Sequence, residues 1–335
     1  MKTFLKTTVA GAAAIIIAGA AQAATLDDIK KAGVLKCGVS QGLPGFSNPD
    51  DKGSWAGIDV DYCKALAAAV LGDAGKVKYV PLSAKVRFTA LQSGEVDVLS
   101  RNTTWTFTRD TNLGINFVGI LYYDGQGFMV RKKLGVKSAK GLSGTAVCTN
   151  TGTTTELNVA DYFKANGMKS KLVAFEHANE VVAAYDSGRC DVYTTDRSGL
   201  AAQRTKLKDP NEHMVLPEII SKEPLGPAVR QGDDQFGNIG RWVLNALIIA
   251  EELGVTSKNV DQMMSSKSAE IQRLLGVKGK YGSYIGLDAG WAARAIKAVG
   301  NYGEMYDRNV TPLGLARGVN NLWNKGGILY APPFR

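Results

Sequence analysis

Apolar and polar positions divide this chain into short strand-like runs that alternate with helical stripes. Val34 to Val39 reads as a first short strand. From Ile58 to Leu71, apolar Ile58, Tyr62, Ala65, Leu66, Ala69 and Val70 recur at helical spacing. Asp59 and Asp61 suit the positive end of that helix, and Gly72 stops it. Val77 to Pro81 reads as a strand, Lys85 to Gln92 as a helix and Val96 to Leu99 as a strand. This β-α-β-α-β order predicts an α/β unit with a largely parallel sheet and helices on both faces. The plan then recurs: strand Thr145 to Cys148, helix near Thr155 to Asn166, strand Leu172 to Phe175, helix Asn179 to Asp186, strand Cys190 to Thr194.

One pattern occurs twice within these units. Ala90 to Val98 and Ala184 to Val192 share Ala-x-x-Ser-Gly-x-x-Asp-Val. Each copy reads as a helix end, a glycine stop and a buried strand. Polar groups follow both strands: Asn102, Thr104 and Arg109 after the first, Thr194, Thr195 and Asp196 after the second. Ligands of open α/β sheets bind beyond the carboxyl ends of strands, so two lobes facing one cleft are expected. Gly125-Gln126-Gly127 marks a crossover into the second lobe, and Pro224-Leu225-Gly226-Pro227 the return. The expected lobes are residues 24–125 plus 226–335, and residues 126–225. Two crossovers would let them close as rigid bodies about a hinge. A helix follows through Ile239, Trp242, Val243, Ala246, Leu247 and Ala250. Val255 to Arg335 shows scattered helical patterns and is expected to pack on the first lobe.

Composition sets the compartment. Lys2 and Lys6 precede an apolar stretch from Val9 to Ala20 and the small-x-small site Ala21-Gln22-Ala23. Residues 1–23 therefore read as a secretory signal, since the apolar stretch is too short for a membrane anchor of about 20 apolar residues. Ala24 would begin the mature chain, with no cysteine there to carry a lipid. The net charge of +9 includes the two signal lysines. The remaining basic residues are dispersed apart from Arg131-Lys132-Lys133, so nucleic-acid binding is not expected. The four cysteines would meet an oxidising compartment. Three pairings are possible, and placement within the lobes predicts Cys37–Cys63 and Cys148–Cys190. Four buried thiols are the alternative. No C-x-x-C occurs and there are only two histidines, His177 and His213, which argues against a metal site.

The candidate binding chemistry suits a zwitterion. Arg109 offers a planar fork of donors that matches a carboxylate, and Asn102 and Thr104 precede it on the same loop. Gly152-Thr153-Thr154-Thr155-Glu156 brings a permissive glycine and a helix N-terminus to the cleft. Thr153 with Glu156 also fits a capping box. Asp196 would hold an ammonium group, or cap the following helix.

Gly57-Ile58-Asp59-Val60-Asp61, Leu91 to Asp97, Thr104 to Arg109, Gly152-Thr153-Thr154, Gly188 to Asp191 and Glu223 to Arg230 occur in order. Together they resemble the periplasmic polar amino-acid-binding proteins of ABC importers (solute-binding family 3), and most closely the longer general L-amino-acid binders. The resemblance covers roughly 26–253. It implies a type II periplasmic-binding-protein fold, an L-amino-acid ligand and delivery to a membrane permease, without a cofactor. It places a carboxylate clamp on Arg109, with Thr104 and Asn102 beside it and Thr153 and Thr154 from the second lobe. It gives Asp196 the α-amino group. Ser40, Leu43 and Ala84 stand where short members carry an aspartate and two aromatics, which implies a roomier, less selective pocket. Phe46 and Trp105 are alternative wall residues, each with a packing role as the competing reading.

The expected function is thus a monomeric, non-catalytic periplasmic receptor. An enzyme on the same scaffold, such as a small-acid dehydratase, would need an acid or base in the cleft. Glu156, Glu176 and His177 are candidates by residue type. A sensor that reports amino acids to a membrane receptor would share the binding site.

Overall fold

The computed structural model describes residues 25–169 and 171–335, so the expected export signal at residues 1–23 lies outside the described residues. The repeated Ala-x-x-Ser-Gly-x-x-Asp-Val pattern becomes the same structural device in two places. The helices Arg87–Gln92 and Ala178–Asp186 end within it, just before its Ser-Gly pair. Gly94 and Gly188 turn with φ of 78° and 85°, a conformation that favours glycine. The aspartate carboxylate then accepts a backbone N–H from the first or second residue of the neighbouring strand. Asp97 takes Lys36 N at 2.8 Å, and Asp191 takes Ala146 N at 2.9 Å. These bonds set each third strand beside the first. They also explain why the strands start later than periodicity suggests, at Val98–Leu99 and Val192–Asp196: the aspartate and its predecessor still belong to the turn.

Each unit is built on a five-stranded sheet. The first orders Val77–Pro81, Leu35–Val39, Val98–Leu99, Ala228–Arg230 and Ile115–Phe117. The second orders Lys171–Phe175, Ala146–Asn150, Val192–Asp196, Gln126–Arg131 and His213–Val215. In both, only the fourth strand opposes the rest. That fourth strand immediately follows a crossover. Between the sheets, Tyr122–Asp124 pairs antiparallel with Glu223–Leu225, so the two passages of the chain form a narrow ribbon.

The C-terminal segment packs on the first unit. Trp291, Ala292, Ala295 and Ile296 join the core that includes Tyr62, Leu66 and Ala69. Arg308 and Asn309 both donate to Asp61, and Arg317 makes a two-pronged pair with Glu251. Asn320 holds both backbone groups of Tyr123 on the ribbon, and the Tyr302 hydroxyl donates to the Leu121 carbonyl. The extension therefore braces the first crossover strand.

Two disulfides, Cys37–Cys63 and Cys148–Cys190, join residues 26 and 42 positions apart. Each lies within one sheet unit, as expected from sequence. Closing such loops removes freedom from the unfolded chain worth about 3.5 and about 4 kcal/mol respectively. Replacing Cys148 and Cys190 together by alanine is expected to lower the unfolding free energy by roughly 2–4 kcal/mol. Urea unfolding of the variant against the oxidised wild type measures it.

Candidate functional site

A cavity opens between the two sheets, beyond the carboxyl ends of their strands. The first unit contributes Ser40 to Leu43, Ala84, Arg87, Arg101, Asn102 and Thr104. The second contributes Asn150, Thr153 to Thr155, Tyr193, Thr195, Asp196 and Gln203. Of the expected site residues, Asn102, Thr104, Thr153, Thr154 and Asp196 line it.

The loop that carries Asn102 and Thr104 is held from below. Asp59, in the first turn of the helix Ile58–Leu71, accepts the Ser100 hydroxyl at 2.9 Å and the Asn102 N–H at 3.0 Å. Asn102 has φ of 38°, a backbone state that asparagine tolerates better than most residues. Its Oδ1 is buried without a partner among the described residues. Burial outweighs the two hydrogen bonds and pushes the Asp59 carboxyl up to about 6.

Across the cleft, Thr153 caps the helix Thr154–Ala165 by accepting the Glu156 N–H at 3.2 Å. The capping box is modified: Glu156 reaches back to Gly152 N and the Thr151 hydroxyl instead of to Thr153 N. Gly152, at φ 72°, brings its backbone so close that an added Cβ would sit 3.1 Å from Lys85 Cα. A side chain there would hold the two units apart.

Asp196 ends the strand Val192–Asp196 at the N-terminus of the helix Arg197–Arg204, yet makes no side-chain cap. It is buried and faces the cavity. Desolvation, reinforced by Asp124 and Glu223, holds its carboxyl well above the ordinary range, with Arg87 and Arg109 opposing.

Arg109 lies behind the residues that line the cavity, within reach of the charges of Glu223 and Asp196. It is buried, donates from Nη1 to the Thr104 carbonyl at 2.9 Å and lies over the Phe88 ring. Two other arginines line the cavity instead. Arg101 donates from Nε to the Leu82 carbonyl at 2.9 Å, and burial lowers its pKa to about 10. Arg87 is buried, with its own Nε unpartnered.

Sequence reading also assigned no role to Glu223. This ribbon carboxylate is 1% exposed. It accepts the hydroxyls of Thr104 at 2.6 Å, Thr154 at 2.8 Å and Ser221 at 2.6 Å, and the Asn158 amide at 2.7 Å. One acid thus joins the walls of both units to the ribbon between them. Its place next to the Pro-Leu-Gly-Pro crossover was the available signal. Further bonds cross the cleft: Lys206 Nζ to the Gly42 carbonyl at 2.7 Å, Gln41 to His177 at 3.1 Å and Ser83 to Glu176 at 3.2 Å.

Ser40, Leu43 and Ala84 line the cavity, as their positions implied. Phe46 and Trp105 do not. Phe46 packs edge-on against Tyr122, and Trp105 stacks on Phe117. Glu156, Glu176 and His177 are absent from the lining as well.

Comparison with known proteins accords with this geometry. The general L-amino acid-binding periplasmic protein AapJ of Rhizobium johnstonii is 61% identical over the full length of both chains. The glutamate/glutamine/aspartate/asparagine-binding protein BztA of Rhodobacter capsulatus is 56% identical over 97% of each. A periplasmic binding protein from Brucella ovis, solved with glutathione bound, superimposes with a TM-score of 0.92 at 56% identity, covering 93% of this chain and 100% of that one. Among the described residues no helix is long and apolar enough to cross a membrane. Residues 35–259 match the model of the bacterial extracellular solute-binding proteins, family 3, and the chain belongs to that family.

Proposed function

We propose that this protein is a periplasmic receptor that captures L-amino acids of varied side chain between two lobes and delivers them to an ABC permease. It acts as a monomer without a lipid anchor. The observation that carries this reading is Asp196: a buried carboxylate at a helix N-terminus that declines the capping bond and faces the cavity. Burial without a partner is costly, and a ligand's α-ammonium would remove the cost. The α-carboxylate would meet Asn102, Thr104, Thr153 and Thr154. Arg109 would reach it by giving up its bond to the Thr104 carbonyl. The lobes are residues 24–125 plus 226–335 and residues 126–225, hinged at the ribbon. Ligand favours the closed state because only that state brings both walls to it.

A second ligand class fits the same clamp. Glutathione, bound in the Brucella ovis structure, carries a free α-ammonium and α-carboxylate on its glutamyl end. The dehydratase reading lacks support: Glu156, Glu176 and His177 are each engaged in local or cross-cleft bonds.

The test is thermal unfolding of refolded, ligand-stripped protein with the common L-amino acids and glutathione. A ligand at a hundred times its Kd stabilises by about 2.7 kcal/mol. Upward shifts are expected with many L-amino acids and none with decarboxylated or N-acylated versions. Absence of any shift would contradict the receptor reading.

A further inference from the structure

The helix Arg197–Arg204 begins at Asp196, and an aspartate in that position ordinarily accepts the free N–H groups of its own first turn. Here another residue accepts them. The strand Gln126–Arg131 runs antiparallel to Val192–Asp196, with Gln126 opposite Asp196. Continued past its end, that register brings Asp124 to Ser198. Asp124 Oδ2 accepts the Ser198 N–H at 3.2 Å and the Ser198 hydroxyl. The Gly125 carbonyl accepts the Arg197 N–H at 2.9 Å, and Asp124 Oδ1 accepts the Gly125 N–H at 2.8 Å. Only glycine fits at 125: an added Cβ would lie 2.3 Å from Ile219 Cγ2 and 2.8 Å from the Ser221 carbonyl oxygen. The end of the ribbon therefore caps the helix from outside. The Asp196 carboxylate has no bond to make at its own helix and faces the cavity. A neutral side chain could cap a helix equally well. A charged one also adds negative potential where an ammonium group is to sit.

We propose that Asp124 is a positioning residue for ligand capture: by capping Arg197–Arg204 from the ribbon, it leaves the Asp196 carboxylate free for the ligand's α-ammonium. The inference rests on the receptor reading and deepens it. Because Asp124 lies on the ribbon and pairs there with Glu223, the group that meets the ammonium is oriented by the same segment that joins the two units. Asp196 is faced by Asp124 and Glu223 from the ribbon, by Arg87, Arg101 and Arg109 from the first unit and by Tyr193 on its own strand. The Asp124 charge is one of those that hold the Asp196 carboxyl above its ordinary range.

The experiment is calorimetric titration of ligand-stripped wild type, Asp124→Ala and Asp124→Asn with L-glutamate and L-leucine, from neutral pH downward. Thermal unfolding without ligand accompanies it, in the wild-type and Asp196→Ala backgrounds. Asp124→Ala leaves the Ser198 N–H open for Asp196 to cap, and a ligand must undo that cap to bind. Both ligands should lose about fivefold to thirtyfold in affinity, which is one helix cap of about 1–2 kcal/mol. Asp124→Asn keeps the oxygen that faces Ser198, so its affinity at neutral pH should stay within about threefold of wild type. Binding needs ionised Asp196, so affinity is full above its pKa and lost as pH falls through it. Removing the Asp124 charge lowers that pKa, and the loss should begin at lower pH in Asp124→Asn. A purely structural role would not move it. In the unliganded protein, Asp124→Ala should lower the melting temperature more in the Asp196→Ala background, where no carboxylate is left to take the cap. Wild-type affinity in Asp124→Ala would overturn the proposal, and so would Asp124→Asn as weak as Asp124→Ala, an unmoved pH profile or equal losses of stability in the two backgrounds. Should Asp124→Ala fail to fold, the pH profile of Asp124→Asn decides alone. Wild type that binds neither ligand sinks the receptor reading itself, and the comparison of backgrounds then still decides whether Asp124 holds a cap that Asp196 otherwise takes.

Discussion

Replacing Asp196 by alanine is expected to weaken binding of every L-amino acid by roughly a hundredfold to several thousandfold. The size follows from taking one partner from a buried ion pair, which costs about 3–5 kcal/mol, converted at about 1.4 kcal/mol per factor of ten. The ligand's ammonium would then be enclosed with Arg87 and Arg101 in the lining and no carboxylate of its own. The fold should survive, since Asp196 neither caps its helix nor holds another side chain. A pH signature separates this role from a packing role. In the unliganded protein, burial and the neighbouring Asp124 and Glu223 raise the Asp196 pKa. An ammonium ligand requires the ionised form and so lowers that pKa. Affinity should therefore be full above the raised value and fall as pH drops through it, with proton release on binding. Asp196→Asn should bind weakly and show little of this pH dependence. Calorimetry in buffers of different ionisation enthalpy reads both effects, and unchanged affinity in the alanine variant would remove Asp196 from the site.

The second large effect is expected at Glu223. Four donors from both walls and the ribbon converge on its carboxylate: Thr104, Thr154, Asn158 and Ser221. Truncation to alanine leaves these donors in a closed, poorly hydrated space. Leaving one buried donor unsatisfied costs about 1–3 kcal/mol. Allowing for relaxation and water entry, Glu223→Ala should lose about 3–5 kcal/mol of stability in the closed form, comparable to breaking a buried charged network. Because the bonds join the two units, the loss should appear largely as a shift toward the open state. Small-angle scattering should show a larger radius for unliganded Glu223→Ala than for wild type, and ligand affinity should drop in parallel. Glu223→Gln preserves shape and acceptor capacity at one oxygen, so it should recover part of both. A variant with wild-type scattering and affinity would show that the convergence is not what holds the walls together.

Particular residues show how far local pattern carries. Helical spacing in Ile58–Leu71, the glycine stops at Gly94 and Gly188 and the crossover at Pro224 to Pro227 all lie within short windows, and turn chemistry acts over such windows. The elements that carry the cysteines suggested one pair per unit, and the structure decides it against four free thiols. Asp196 was visible as a carboxylate at a strand end, but its two roles differ by one hydrogen bond that no spacing encodes. Phe46 and Trp105 had two available faces, and packing against Tyr122 and Phe117 decided between them. Arg109 was the outstanding cation by residue type and resemblance, and only the packed structure shows Arg87 and Arg101 in the cavity wall in front of it.

The sequence by itself determined the two α/β units, their repeated Asp-Val device, the crossovers and the polar residues that follow the strand ends. Each depends on periodicity, on turn residues or on strand ends, which are properties of neighbouring positions. Tertiary structure alone decided which charges are answered. Thr104 and Glu223 lie 119 residues apart and meet at 2.6 Å, whereas the buried Arg87 feels the charges of Asp196 and Glu223 from other elements while its Nε has no hydrogen-bond partner among the described residues. Whether a buried charge is paired depends on every element packed around it, because water is excluded by all of them at once and a partner can arrive from any of them.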